Sequence, residues 1–158
     1  MDYASQLFIF LDVSIASVLT ALIGYERENE DKPAGMRTNI IIGGVSCLLI
    51  SLTNPLLEFL DFHNNMKLIN ADPIRVLNAL ILGVSFVGAG TILKLTTQKR
   101  VTGLTTAATL LYSSSIGICI ALKQYVLGGC VTLLVIIVNH VLPRILDKKN
   151  DGNADTQQ

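Results

Sequence analysis

Five long apolar runs constrain this chain more than any other feature. They lie at about Leu7 to Gly24, Asn39 to Thr53, Ile74 to Leu93, Leu104 to Leu122 and Val126 to Leu142. Crossing about 30 Å of hydrocarbon as a helix takes roughly 17 to 25 residues, and most of these runs have that length. The second is short unless it continues past Pro55 through Leu56, Leu57, Phe59 and Leu60, where proline either kinks the helix or ends it. A closed β-barrel, the other structure that satisfies its backbone in lipid, needs alternating patterns, and these runs are continuous. The expectation is an all-α integral membrane protein, a bundle of about five transmembrane helices.

Composition agrees. Apolar residues make up 51% of the 158 residues and charged residues 15%, below the roughly 25% usual in soluble domains. Twelve basic and twelve acidic residues cancel, so no overall field points to a nucleic-acid partner. Cys47, Cys119 and Cys130 each sit inside an apolar run without a CxxC spacing, which excludes a disulfide framework and a zinc site. The first run is no signal peptide, because Asp2 is the only charge before it.

The connecting segments set a direction. Nine basic residues fall on one side (Arg27, Lys32, Arg37, Lys94, Lys99, Arg100, Arg144, Lys148, Lys149) and three on the other (Lys67, Arg75, Lys123). The excess predicts the N-terminus outside and the C-terminus in the cytoplasm. Residues 1–146 read as the transmembrane domain, and the polar stretch 147–158 as a disordered cytoplasmic tail. Membrane lipid is therefore the first partner.

Small residues recur four apart, at Ser17 and Ala21, Ala79 and Gly83, Ser85 and Ala89, and Ser113 and Gly117. Such pairs let helices approach closely in lipid and suit self-association, with a homodimer favoured. The fourth run is the extreme case and is expected at the centre of the bundle. Its Thr105, Thr106, Thr109 and Ser113 either pack against neighbours or line a polar cavity. Residues 83–90, GVSFVGAG, lack the following Lys-Ser/Thr of a phosphate loop and lie mid-span. Gly83, Ser85, Gly88 and Gly90 instead suit close helix crossing or a local break facing a cavity.

Charged groups beside the membrane give the candidate sites. Glu26-Arg27-Glu28 precedes a turn expected at Pro33 and Gly35, which would bring Arg37 back toward Glu26 and Glu28. The carboxylates either form ion pairs or bind a hard cation such as Mg²⁺. At the opposite mouth, Asp72 suits a helix cap ahead of Pro73, with Arg75 in reach and Asn78 one turn deeper. Asp72 and Glu26 are the candidate metal ligands, with Mg²⁺ as substrate or ligand and no other cofactor. Asp12 and His140 lie near enough to the two interfaces to reach water. No Ser-His-Asp, Cys-His or HExxH set occurs, so no enzyme is expected.

Taken in order, Gly24-Tyr25-Glu26-Arg27-Glu28, KPAGMRTN at 32–39, Asp72-Pro73-Ile74-Arg75, GVSFVGAGTI at 83–92 and VTGLTTAAT at 101–109 resemble the MgtC/SapB family. The resemblance covers roughly residues 7 to 142. It implies a bacterial inner-membrane protein tied to magnesium limitation and acid stress, and to virulence in some pathogens. Two functions follow from it: handling of Mg²⁺ or a related cation across the inner membrane, or regulation without transport by binding a larger complex such as the F-type ATP synthase. Many members carry a C-terminal ACT-like domain that this sequence is expected to lack.

Overall fold

A computed structural model describes residues 2–64, 73–94 and 103–154, with side chains described for 2–59, 74–92 and 103–140. The described residues form six helices: α1 (Tyr3–Asn29), α2 (Met36–Ser51), α3 (Thr53–Asn64), α4 (Pro73–Lys94), α5 (Leu104–Ala121) and α6 (Tyr125–Ala154). Four stretches are long and apolar enough to cross a membrane: Tyr3–Asn29, Met36–Phe59, Ile74–Ile92 and Leu104–Ala121. In α6 the apolar stretch with described side chains is Tyr125–His140. The protein is an all-helical membrane protein.

The second run does continue past Pro55, but as two helices. The chain turns at Leu52, and Pro55 falls in the first turn of α3, where its missing N–H breaks little. The Leu56 N–H donates to the Leu52 carbonyl at 3.0 Å, so the break spans a single residue. Helix α6 runs on past Leu146 to Ala154, into the stretch assigned to a tail from composition, since adding residues to an existing helix costs far less than starting one.

Helix α5 is central and touches α1, α2, α4 and α6. Its small residues allow this. At Gly117 an added Cβ would run into the Gly43 carbonyl and lie 3.0 Å from Ser46 Cβ and 3.1 Å from the Cys47 nitrogen, so α2 and α5 meet backbone to backbone. Helix α5 starts at Gly103, whose φ of 89° is left-handed and suits glycine. The apolar core is thin: Ala16, Cys47 and Ile120 form one cluster, and Ile23, Ile116 and Val135 another.

Helix α4 is the outlier. Leu80, Val84 and Gly88 face inward, but Leu82 and Phe86 are 73% and 81% exposed. The close crossing expected at Gly83 and Gly90 does not occur within the described residues: nothing lies within 4 Å of an added Cβ at either. Of the glycines there, Gly88 makes the crossing, against Ala107 of α5.

A polar seam along the central helix

The buried face of α1 carries Asp12, Ala16, Thr20, Ile23, Gly24 and Arg27, a stripe at helical spacing. Helix α1 extends five residues past Gly24, so Arg27 is not in a loop. It is 3% exposed, and its Nη2 donates to Thr106 Oγ1 of α5 at 2.6 Å. Its Nε is buried with no hydrogen-bond partner among the described residues. A buried guanidinium is costly in lipid unless paired, and here a neutral hydroxyl supplies its hydrogen bond.

Three more side chains continue the seam. Asn39 of α2 is fully buried; its Nδ2 donates to the Ala34 and Gly35 carbonyls at 2.7 and 2.9 Å, and its Oδ1 accepts from Ser113 Oγ at 2.7 Å. One amide thus pins the α1–α2 turn and ties α2 to α5. Ser46 and Ser114 share a second hydrogen bond between α2 and α5, of 2.9 Å. Thr109 is buried with its hydroxyl on the Thr105 carbonyl. Of the four hydroxyls expected either to pack or to line a cavity, Thr106, Thr109 and Ser113 pack, and Thr105 is exposed. Thr105 and Thr109 border a cleft of about 130 Å³ with Asn139 between α5 and α6.

The seam ends at the α5–α6 turn. Asp12, 3% exposed, pairs with Lys123 and accepts a 2.8 Å hydrogen bond from the Tyr125 hydroxyl. Asp12 is therefore no interfacial carboxylate reaching water. Lys123 adopts a left-handed φ of 62°, and its hydrogen bond to Asp12 holds its ammonium above the ordinary lysine range. An ammonium whose pKa rises on folding stabilises the fold below its unfolded value, near 10.5. That contribution disappears as pH climbs through the higher folded value. Thermal unfolding of the wild type and Lys123→Gln should therefore differ by a constant amount from pH 7 to pH 10 and converge only in stronger alkali.

The other candidate residues scatter. Glu28 does not meet Arg37: its Oε2 accepts the Met36 N–H at 3.0 Å and so caps α2. Arg37 is exposed and pairs with neither Glu26 nor Glu28. The turn brings back the backbone of α2 instead of the Arg37 side chain, because α1 carries Glu28 to the start of α2. Glu26 is half-buried and faces α6, where Asn139 Nδ2 lies 3.4 Å from its Oε2. Arg75, Asn78 and Ser85 are exposed on α4, and Asp72 lies outside the described residues. Composition and motif spacing missed Asn39 and Glu30, and placed Arg27 in the charged loop and in the count that sets orientation. The spacing of Thr20, Ile23, Gly24 and Arg27 was the signal that Arg27 faces inward.

The model of the MgtC family matches residues 13–148. This chain belongs to the MgtC family. It is 35% identical over 139 residues to YhiD of Escherichia coli strain K12, whose name makes it a proposed magnesium transporter, covering 86% of this chain and 62% of YhiD. It is 32% identical over 141 residues to SapB of Bacillus subtilis strain 168, covering 89% and 59%. To MgtC of Salmonella typhimurium strain 14028s it is 30% identical over 141 residues, covering 89% and 54%. The chain thus spans somewhat more than half the length of these MgtC-family relatives. No solved structure is significantly similar to it.

Proposed function

We propose that this chain serves magnesium homeostasis in the bacterial inner membrane by docking on other membrane chains, and that its own bundle conducts no ion. The observation that carries this reading is the closed interior. Along α5, Thr106, Ser113 and Ser114 are each hydrogen-bonded to a buried side chain of α1 or α2, and Gly117 brings two backbones together. A cation is held at each end of the seam, Arg27 at one and Lys123 at the other. A divalent cation entering at the Arg27 end would meet like charge where screening is weak, and at the other end a carboxylate already paired with Lys123. Magnesium enters through the name of YhiD, and the nine-to-three bias of basic residues supports a cytoplasmic C-terminus.

Helix α4 offers the docking face. Ala79, Leu82, Gly83, Phe86 and Gly90 are exposed along one side. A second copy of this chain is the first partner proposed, and a larger complex such as the F-type ATP synthase the second. One observation favours transport between copies: Arg75, Asn78 and Ser85 recur at helical spacing on the exposed side of α4, a polar stripe that lipid does not satisfy.

Mg²⁺ entry into proteoliposomes separates the readings. The folded, inserted protein should give no entry above protein-free vesicles. Entry that depends on the protein and falls in Asp72→Asn or Glu26→Gln would overturn the docking reading in favour of transport.

A further inference from the structure

The end of α1 gathers more negative charge than its neighbours satisfy. Glu26 lies in the last turn of α1 and Glu30 is its C-cap, four residues on, a spacing at which like charges repel. Facing them from α6 are Asn139 and His140, with His140 Nδ1 3.9 Å from Glu30 Oε1. One ligand atom from each of Glu26, Glu30 and His140 lies within 4.8 Å of the other two. Atoms on opposite sides of an ion bound at 2.0–2.2 Å stand about 4.2 Å apart, so small side-chain rotations would close this set on a metal. A second observation is independent of that spacing. Glu26 Oε1 is fully buried and has no hydrogen-bond partner among the described residues. A buried carboxylate oxygen without a donor is costly, and a cation would remove the cost.

We propose that Glu26, Glu30 and His140 bind one divalent cation of the first transition row, of the Mn²⁺ or Zn²⁺ kind, in preference to Mg²⁺. Two carboxylates satisfy any hard cation, but an imidazole ligand selects against Mg²⁺, which takes oxygen ligands and gives up its waters reluctantly. The three residues are half-buried, so an ion reaches them from water without crossing the bundle. Asn139 holds the Glu26 carboxylate from the side, as an outer partner does for a metal ligand. Arg27 is nearby, with its Nη2 on Thr106 of α5 and no ion pair to Glu26 or Glu30, so it lowers affinity without filling the site. The site goes beyond the docking reading and does not rest on it, because it requires neither flux nor a partner.

The test is Mn²⁺ titration of the full chain in detergent, followed by electron paramagnetic resonance. One Mn²⁺ per chain should bind, with spin-echo modulation from a single nitrogen. Zn²⁺ should displace it, and a hundredfold excess of Mg²⁺ should not. His140→Gln should abolish the nitrogen modulation and weaken binding at least tenfold, and Glu30→Gln should weaken it similarly while keeping the modulation. His140 is 45% exposed at its side chain, so its replacement leaves the bundle intact, and gel filtration checks this. Absence of stoichiometric binding, nitrogen modulation that survives in His140→Gln, or equal competition by Mg²⁺ would each overturn the proposal. None of these results depends on whether proteoliposomes take up Mg²⁺.

Discussion

Gly117→Val should destabilise the protein by about 3 kcal/mol or more. The new side chain would meet the Gly43 carbonyl and the Cys47 nitrogen. Both are backbone atoms, so no rotamer change relieves the clash and α2 must move off α5. That movement would also part Ser46 from Ser114 and Asn39 from Ser113. Gly90→Ala is the matched control: nothing lies near an added methyl there, and alanine favours a helix interior by about 0.5–1 kcal/mol over glycine. Thermal unfolding in detergent, followed by gel filtration, should show the first variant failing near ambient temperature and the second unchanged or improved. Equal melting of Gly117→Val and the wild type would mean that α2 and α5 do not meet as described.

The second large effect concerns Arg27. Thr106→Val keeps the shape of the side chain and removes the acceptor for the guanidinium. Hydrogen bonds to charged groups contribute about 1.5–3 kcal/mol, and a buried charge left unpaired costs at least as much. A loss of about 2–3 kcal/mol is expected. Ser114→Ala, which breaks a neutral hydroxyl pair, should cost nearer the roughly 0.6 kcal/mol average for interhelical bonds in membranes. Replacing the arginine as well, in Arg27→Met with Thr106→Val, should recover most of the loss, because well-packed apolar groups often substitute for buried charge without penalty. A double-mutant cycle on chemical unfolding reads the coupling. Additive losses would show that the two side chains do not interact.

Much of the architecture was legible from the chain alone, because lipid leaves few options. Continuous apolar runs can only be helices there, and the density of small residues in 104–121 marks the helix that must sit among the others. The partners of the polar residues were not legible. Asp12 could have been a wet interfacial acid, and Arg27 could have been a loop cation. Only the rotation of α1 about its axis turns both inward, and that rotation is set by packing against α2 and α5. The Glu28 cap shows the same limit. Pro33 and Gly35 announce a turn, but whether Glu28 meets the Arg37 side chain or the Met36 N–H depends on where α1 stops. The break at Leu52 carries no proline or glycine of its own; the signal was Pro55, three residues on. Glu30 and His140 meet only because the C-terminal end of α1 lies against the middle of α6, a long-range fact that no local spacing encodes.

The order of the helices along the chain has a consequence for how the protein is made. Asn39 and Arg27 are synthesised early, but their partners Ser113 and Thr106 lie 74 and 79 residues downstream. At about 5–20 residues per second, each waits roughly 4–16 s for its bond. During that interval α1 and α2 sit in the membrane with the Asn39 Oδ1 and the Arg27 guanidinium lacking their α5 partners, while α4, which makes neither bond, passes through. The helix order predicts insertion in two phases: an early helical hairpin that must be sheltered from bulk lipid, and a late step in which α5 slides into place and seals it. Slowing translation before codon 104 should lengthen the exposure of that hairpin and increase its capture by membrane proteases.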